Sequence, residues 1–436
     1  MSTVIGLSSM AELYDYQREV VNQLLSGKHI VVAGTGLGKT ACAMCWAEKK
    51  CKETGKGKVL IVTTASKSKA RTAEGLNDFE ADARLFCSSS FYKSLSSSLS
   101  LISWHKLSAW ANTNWNSLED YVIIFDEVQY AKNGVSSQRG RAFLKIAKRN
   151  QDWAGFTATP GDTWLSFYPY MAACGLVRNK TSFMAEFANV QTFKGYPEIV
   201  GWRNEDKLRS MWGAISYAPD TRKASQELPK SVNKPIYFSL PKTYSTVLKT
   251  RLRAGTDGSG EDDFLDTSGA LTSELRRICF TKEKQEWVSD FIAGLGTQTV
   301  VFYNFIATGD KLEEIISKAL PEGARIWRID GKHHEIPTPE SLGPYDIVLS
   351  QWQSGSEGLN LQAIHYELLV ELPYSYSTLK QGMGRVRRLG QTHTMFFYTL
   401  LCDKGIEQDI KEILRTKGEF SVRNWCASNN IIMKGE

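Results

Sequence analysis

Apolar positions along the chain fall into short, near-continuous runs separated by longer stretches of helical period. Residues 29–33 (His-Ile-Val-Val-Ala), 58–64 (Lys-Val-Leu-Ile-Val-Thr-Thr) and 121–125 (Tyr-Val-Ile-Ile-Phe) are three such runs in the first half. Runs of this length without polar alternation suit strands buried on both faces of a parallel sheet. The segments between them are long enough for crossover helices. The second half repeats the theme: residues 298–302, 325–329, 346–350 and 366–370 predict strands, and 311–320 and 404–415 predict helices. Between the halves, residues 161–230 carry little strand signal and many aromatics, among them Trp164, Phe167, Tyr168 and Tyr170. That stretch predicts a mostly helical insertion.

The pattern therefore predicts an α/β fold with two doubly wound parallel-sheet lobes. The first lobe spans 1–232 and includes the insertion from about 161. The second spans 233–436, with a mobile loop at about 253–269 and a helical C-terminal tail. The Gly- and Asp-rich run 255–263 carries the loop signal. The Ser-rich run 88–100 reads as a surface helix or loop. No repeat of fixed short period is present.

Composition narrows the class. The 436 residues include 53 Lys+Arg and 47 Asp+Glu, a net charge of +6, with 42% hydrophobic residues. These proportions exclude a disordered, collagen-like or coiled-coil chain. A mildly basic balance permits a nucleic-acid partner without requiring one. The N-terminal residues show no signal peptide, and no run reaches the roughly 18 apolar residues of a membrane span. Eight dispersed cysteines fit a reducing cytoplasm better than a disulfide framework. Cys42 and Cys45 lie in an apolar helical segment without a matching second pair, so buried thiols are expected rather than a zinc site. Of the twelve tryptophans, those in apolar runs, such as Trp46 and Trp153, are expected to pack in the core rather than stack on bases.

The strongest chemical signal is Ala33-Gly34-Thr35-Gly36-Leu37-Gly38-Lys39-Thr40, between a predicted strand and a predicted helix. Glycines let backbone N–H groups close around phosphate oxygens, and the following helix adds a favourable dipole. Lys39 would reach the β/γ phosphates and Thr40 would hold Mg²⁺. Ala33 stands where the common pattern has its outer glycine. The second signal is Asp126-Glu127 at the end of an apolar run: one carboxylate for Mg²⁺, one to activate water. The third is Thr157-Ala-Thr159-Pro160. The fourth is the run 381–391, Gln-Gly-Met-Gly-Arg-Val-Arg-Arg-Leu-Gly-Gln. Arg385 and Arg388 stand three apart and share a helix face. Two guanidiniums so placed can act as arginine fingers on a nucleotide phosphate.

Taken together, these motifs resemble superfamily 2 nucleic-acid motors, and within them the Swi2/Snf2 branch. Tyr14-Asp-Tyr-Gln17 resembles the motif that reads adenine, and residues 36–40 the branch's phosphate loop. Residues 60–64 match motif Ia, and Ile102-Ser103-Trp104 with Leu107 the next motif. Residues 126–133, Asp-Glu-Val-Gln-Tyr-Ala-Lys-Asn, resemble the extended acid box. Leu228-Pro229 and residues 275–279 match lesser landmarks. Residues 301–305, 329–331, 354–361 and 381–391 follow the order of the later motifs, so the resemblance covers nearly the whole chain. Three departures stand out: Ser356-Glu357 in place of small uncharged residues, Arg387 where histidine is common, and Gln129 at the usual histidine of the acid box. No chromatin-reading or nuclease module is expected, and in this the sequence resembles the compact motors of phages and bacteria.

The resemblance implies two RecA-like lobes that use ATP and Mg²⁺ and bind DNA without reading its sequence. It assigns Gln17 and residues 34–40 to ATP, and Lys39, Asp126, Glu127, Gln381, Arg385 and Arg388 to catalysis. It assigns Thr63, Thr64, Lys67 and Ser103 to DNA on the first lobe, and Ser354, Gly355 and Asn360 on the second. Thr157 and Thr159 would couple the lobes. The expected activity is DNA-stimulated ATP hydrolysis that drives a double-stranded DNA translocase, remodelling forks, branched DNA or protein–DNA complexes. The alternatives are a strand-separating DNA or RNA helicase and an ATP-switched clamp that recruits a partner. A cytoplasmic monomer is expected, with replication or recombination proteins as possible partners.

Overall fold

In a computed structural model, residues 11–429 are described apart from 66, 69–74, 162, 194–195, 221–229, 254–263, 334–335, 339–340, 356–360, 362, 388–390, 392 and 417–419. The apolar runs become strands, and the strands assemble into two six-stranded parallel sheets. One sheet lies in each of two compact units, Met1–Glu227 and Leu228–Glu436.

The first unit contributes β1 (Ile30–Val32), β2 (Lys58–Thr63), β3 (Leu99–Ser103), β4 (Tyr121–Asp126), β5 (Trp153–Thr157), β6 (Ala188–Phe193), β7 (Tyr196–Trp202) and β8 (Ser216–Tyr217). Its sheet runs in the order β3-β2-β4-β5-β1-β8. Every residue of β4 and β5 is buried, as helices on both faces of a parallel sheet require. Phe125 of β4, Trp153 of β5 and Phe143 of the helix Gln138–Arg149 meet edge to face, with centroids 5.0–5.9 Å apart. Trp46 and Trp153 are both core residues, and so are Cys42 and Cys45. None of the eight cysteines is in a disulfide.

The second unit contributes β9 (Ser231–Phe238), β10 (Thr299–Tyr303), β11 (Ile326–Ile329), β12 (Ile347–Gln351), β13 (Tyr366–Leu369) and β14 (Met395–Cys402), ordered β11-β12-β10-β13-β14-β9. Beneath β14, the fully buried Lys284 ammonium donates to both oxygens of Glu407, at 3.0 and 2.8 Å. The pair ties the helix Lys282–Leu295 to the helix Ile406–Arg415.

The structure corrects several expectations. The mostly helical insertion also contains strands. It holds the helices Trp164–Ala173, Lys180–Phe187 and Glu205–Ile215, but β6 and β7 form an antiparallel hairpin between them. Its residues alternate polar and apolar too briefly to stand out against the aromatic background. The Ser-rich run splits into a helix, Ser89–Ser98, and the edge strand β3. Strands β5, β8, β9 and β14 were also unforeseen. Gly155 interrupts the run in β5, yet a Cβ there would lie 2.9 Å from Ile30 and 3.1 Å from Val128, so only glycine lets them close over the strand. β9 carries Pro235 and is mostly exposed, both tolerated because it is an edge strand. The expected mobile loop falls largely on 254–263, and Leu228-Pro229 on 221–229, both outside the described residues.

Among the described residues, no helix is long and apolar enough to cross a membrane.

Candidate active site

The register of the first sheet sets out the site. Val32 of β1 pairs with Thr157 of β5, and Phe156 with Asp126 of β4. The phosphate loop, the acid pair and the Thr157-Ala-Thr159 segment therefore all leave the sheet at neighbouring carboxyl ends, where open α/β sheets place their ligands.

The loop turns on two glycines in the left-handed region, Gly36 at φ 77° and Gly38 at φ 67°. Gly38 caps the helix Lys39–Thr54. Lys39 Nζ donates back to the carbonyls of Ala33 and Gly34, at 3.1 and 3.0 Å. The ammonium thus sits inside the loop's own curve, at the helix N-terminus suited to phosphate.

Gln17 is buried, and its side chain reaches this loop. Its Oε1 accepts from Tyr14 N at 3.0 Å and its Nε2 donates to Leu37 O at 3.3 Å. Tyr16 Oη donates to the same carbonyl at 3.2 Å. A Cβ on Gly38 would lie 2.2 Å from Gln17 Nε2. Gly38→Ala therefore both strains a left-handed residue, at roughly 1–2 kcal/mol, and pushes the amide off Leu37. The expected result is an ATP affinity weakened by a factor of about 5–30, read by nucleotide titration. Unchanged affinity would show that Gln17 and the loop act independently.

The acid pair is held from several sides. Asp126 Oδ2 accepts from Thr63 Oγ1 at 2.6 Å and from Lys67 Nζ at 2.9 Å. Trp104 Nε1 donates to the Asp126 carbonyl at 2.8 Å. Glu127 adopts a left-handed backbone, φ 51°, at the end of β4. Its Oε1 lies 3.5 Å from Lys67 Nζ and its Oε2 accepts from Gln129 Nε2 at 2.8 Å. Gln129 Oε1 in turn accepts from Thr157 Oγ1 at 2.7 Å, and Thr159 N donates to Thr157 Oγ1 at 2.9 Å. Thr157 and Thr159 thus reach the acid pair through Gln129, the residue that departs from the family pattern.

Lys67 shows that these carboxylates accommodate a positive charge, as a Mg²⁺ site requires. Asp126 and the Thr40 hydroxyl are the groups that would hold the ion, which supplies Lewis-acid polarisation of phosphate. Glu127 can then accept a proton from water.

The residues assigned to DNA fare differently. Thr63, Thr64 and Ser103 are buried. The side chains of Thr63 and Lys67 turn to the acid pair rather than outward. In the second unit, Ser354 and Gly355 end the short helix Trp352–Gly355. Asn360, Arg388 and Ser356-Glu357 lie outside the described residues. Gln381 and Arg385 are buried in the helix Tyr376–Val386.

Sequence reasoning missed a network at the carboxyl ends of β10 and β13. The fully buried Glu371 accepts from Asn304 N at 2.7 Å, Phe305 N at 3.1 Å and Thr308 Oγ1 at 2.8 Å. Burial raises its carboxyl above the ordinary range; the Arg276 guanidinium and these hydrogen bonds offset part of the rise. Arg276 lies over the Phe305 and Tyr374 rings, 5.1 and 4.6 Å from the centroids. Trp352 Nε1 donates to the Glu371 carbonyl at 2.6 Å, and its ring stacks on Phe302 at 4.3 Å. The network joins the motif around Asn304 to the start of the Ser354 motif. The available signal was an acidic residue closing an apolar run, as at Asp126. In the Ile329-Asp330-Gly331 motif, burial pushes the Asp330 carboxyl up, but donors from Lys332, His333 and Arg328 outweigh it and hold it below the ordinary range.

Comparison with known proteins agrees with this two-unit arrangement. Residues 10–162 match the family described as type III restriction enzyme, res subunit, and residues 283–390 match the helicase conserved C-terminal domain. An ATP-dependent helicase of Bacillus subtilis, YqhH, is 24% identical over 162 residues, covering 35% of this chain and 27% of its own. A second, MG018 of Mycoplasma genitalium, is 22% identical over 363 residues, covering 76% of this chain and 33% of its own. The DNA repair protein RAD5 of Eremothecium gossypii is 27% identical over 135 residues, covering 28% and 12%. The chain thus matches a third or less of these relatives' length. The SWI2/SNF2 ATPase core of Sulfolobus solfataricus in complex with dsDNA aligns with a TM-score of 0.40 and 18% identity, covering 98% of this chain and 94% of that one. With a domain of the type III restriction res-subunit family followed by a helicase conserved C-terminal domain, the chain belongs to the ATP hydrolases of helicase superfamily 2.

Proposed function

We propose that the chain is an ATP-driven motor that tracks along double-stranded DNA and remodels forks, branched DNA or protein–DNA complexes. The observation that supports this reading most is the convergence at one sheet edge of a lysine-bearing phosphate loop, a hydrogen-bonded acid pair and the Thr157 relay. Gln17 and residues 34–40 bind ATP, Thr40 and Asp126 hold Mg²⁺, and Glu127 activates water. Arg385 and Arg388, supported by Gln381, stabilise the charge that develops on the transferred phosphate. Ser354, Gly355 and Asn360 contact the DNA backbone, so binding is insensitive to sequence and falls steeply with salt.

Movement along an intact duplex avoids melting, which costs about 1.4 kcal/mol of stacking per base-pair step. It still drives branch migration, because each pair broken ahead is replaced behind. The expected result is ATP hydrolysis stimulated more by duplex than by single-stranded DNA or RNA, with displacement of a third strand from a triplex. The β6–β7 hairpin favours a second reading, a strand-separating helicase. It lies outside the six-stranded sheet and exposes Val190 and Val200. Efficient unwinding of a long tailed duplex without triplex displacement would decide for that second reading.

A further inference from the structure

Beside the acid box, the first unit carries a concave polar site that the ATP chemistry does not use. Its cavity of about 220 Å³ is floored by Trp104 and Tyr130 and walled by His105, Ser108, Asn133 and Arg139. A concavity of that size admits a single phosphate group. No carboxylate lines it. Arg139 makes no ion pair with a carboxylate among the described residues. Its guanidinium lies 5.0 Å over the Tyr130 ring, and its Nη2 lies 3.1 Å from His105 Nε2. The N-terminus of the helix Gln138–Arg149, capped by Ser137, opens on the same cavity and adds a positive dipole end. A half-buried arginine without a counterion, among neutral donors, is a site for an anion.

We propose that this cavity seats one phosphate of a nucleic-acid backbone, with Arg139 as the charged anchor and Ser108 and Asn133 as neutral donors. The assignment rests on the DNA-motor reading and supplies first-unit contacts that the buried Thr63 and Ser103 do not. The floor is also tied to the acid pair. Trp104 donates to the Asp126 carbonyl at 2.8 Å and stacks on Tyr130 at 6.0 Å, and Tyr130 N donates to the Glu127 carbonyl at 3.1 Å. A phosphate in the cavity thus has a direct route to the backbone of both catalytic carboxylates.

The test measures binding of a labelled blunt duplex to the full chain across a salt series. Arg139→Gln should lower affinity and reduce the slope of log K against log salt by about one. Arg139→Lys should retain the slope. Asn133→Asp, which adds a negative charge without touching the Arg139–His105 contact, should weaken duplex binding several-fold. ATP binding in the absence of DNA should be unchanged in all three. A parallel arm adds inorganic phosphate: protection of the cavity by free phosphate, with an unchanged duplex slope in Arg139→Gln, overturns the assignment in favour of a free-phosphate site. Unchanged affinity and slope in Arg139→Gln and Asn133→Asp, with normal wild-type binding, overturn it alone. A wild-type chain with no salt-dependent nucleic-acid binding overturns the motor reading as well.

Discussion

Glu127→Gln retains ATP and hydrolyses it about two to four orders of magnitude more slowly than the wild type, the span general-base catalysis contributes. The substitution is close to isosteric. The remaining carbonyl oxygen can still accept from Gln129 Nε2, now at 2.8 Å from Glu127 Oε2, so the relay to Thr157 survives. What is lost is the capacity to take a proton from water. Lys39→Ala provides the contrast. It removes the ammonium bonded to Ala33 and Gly34, and with it productive nucleotide binding. Steady-state turnover and nucleotide titration on both variants separate the two roles. Near-wild-type turnover by Glu127→Gln would remove Glu127 from the chemistry.

The second large effect concerns the arginines. Arg388→Ala should cost about three to five orders of magnitude in DNA-stimulated turnover, the range of an arginine finger. ATP binding should remain, because the phosphate loop, Gln17 and Lys39 all belong to the first unit. Arg385 is the less clean target, since it is buried and its carbonyl accepts from Leu361 N at 3.3 Å. If Arg388→Ala turns over ATP normally, Arg388 takes no part in hydrolysis.

The central strands were legible because each is buried on both faces and reads as an unbroken β-branched run, as in β2, β4 and β10. The edge strands were not. β9 is half polar and carries Pro235, and β3 emerges from a serine run, so neither shows the pattern of a doubly buried strand. The candidate nucleotide site stands out in the sequence because its chemistry demands particular residues at fixed spacing: glycines for the loop, then Lys39, then Asp126-Glu127. The supporting groups carry no such spacing. Gln129 appeared only as a departure from a family pattern, and its bonds to Glu127 and Thr157 exist only in three dimensions. The resemblance assigns Thr63 and Lys67 to DNA. The sheet register instead sets β2 beside β4, and their side chains meet Asp126.

The end strands of the two sheets are anchored very unequally. The chain leaves the first sheet from β8, whose two residues pair with β1, and enters the second at β9, whose eight residues pair with β14 from Met395 to Cys402. A pull along the axis of β9 is shared in shear by its eight pairs. The short β8 pairing, backed by the helix Glu205–Ile215, has far fewer bonds to share it. Under equal axial pulls the two-residue β8 pairing yields before the eight-residue β9 pairing.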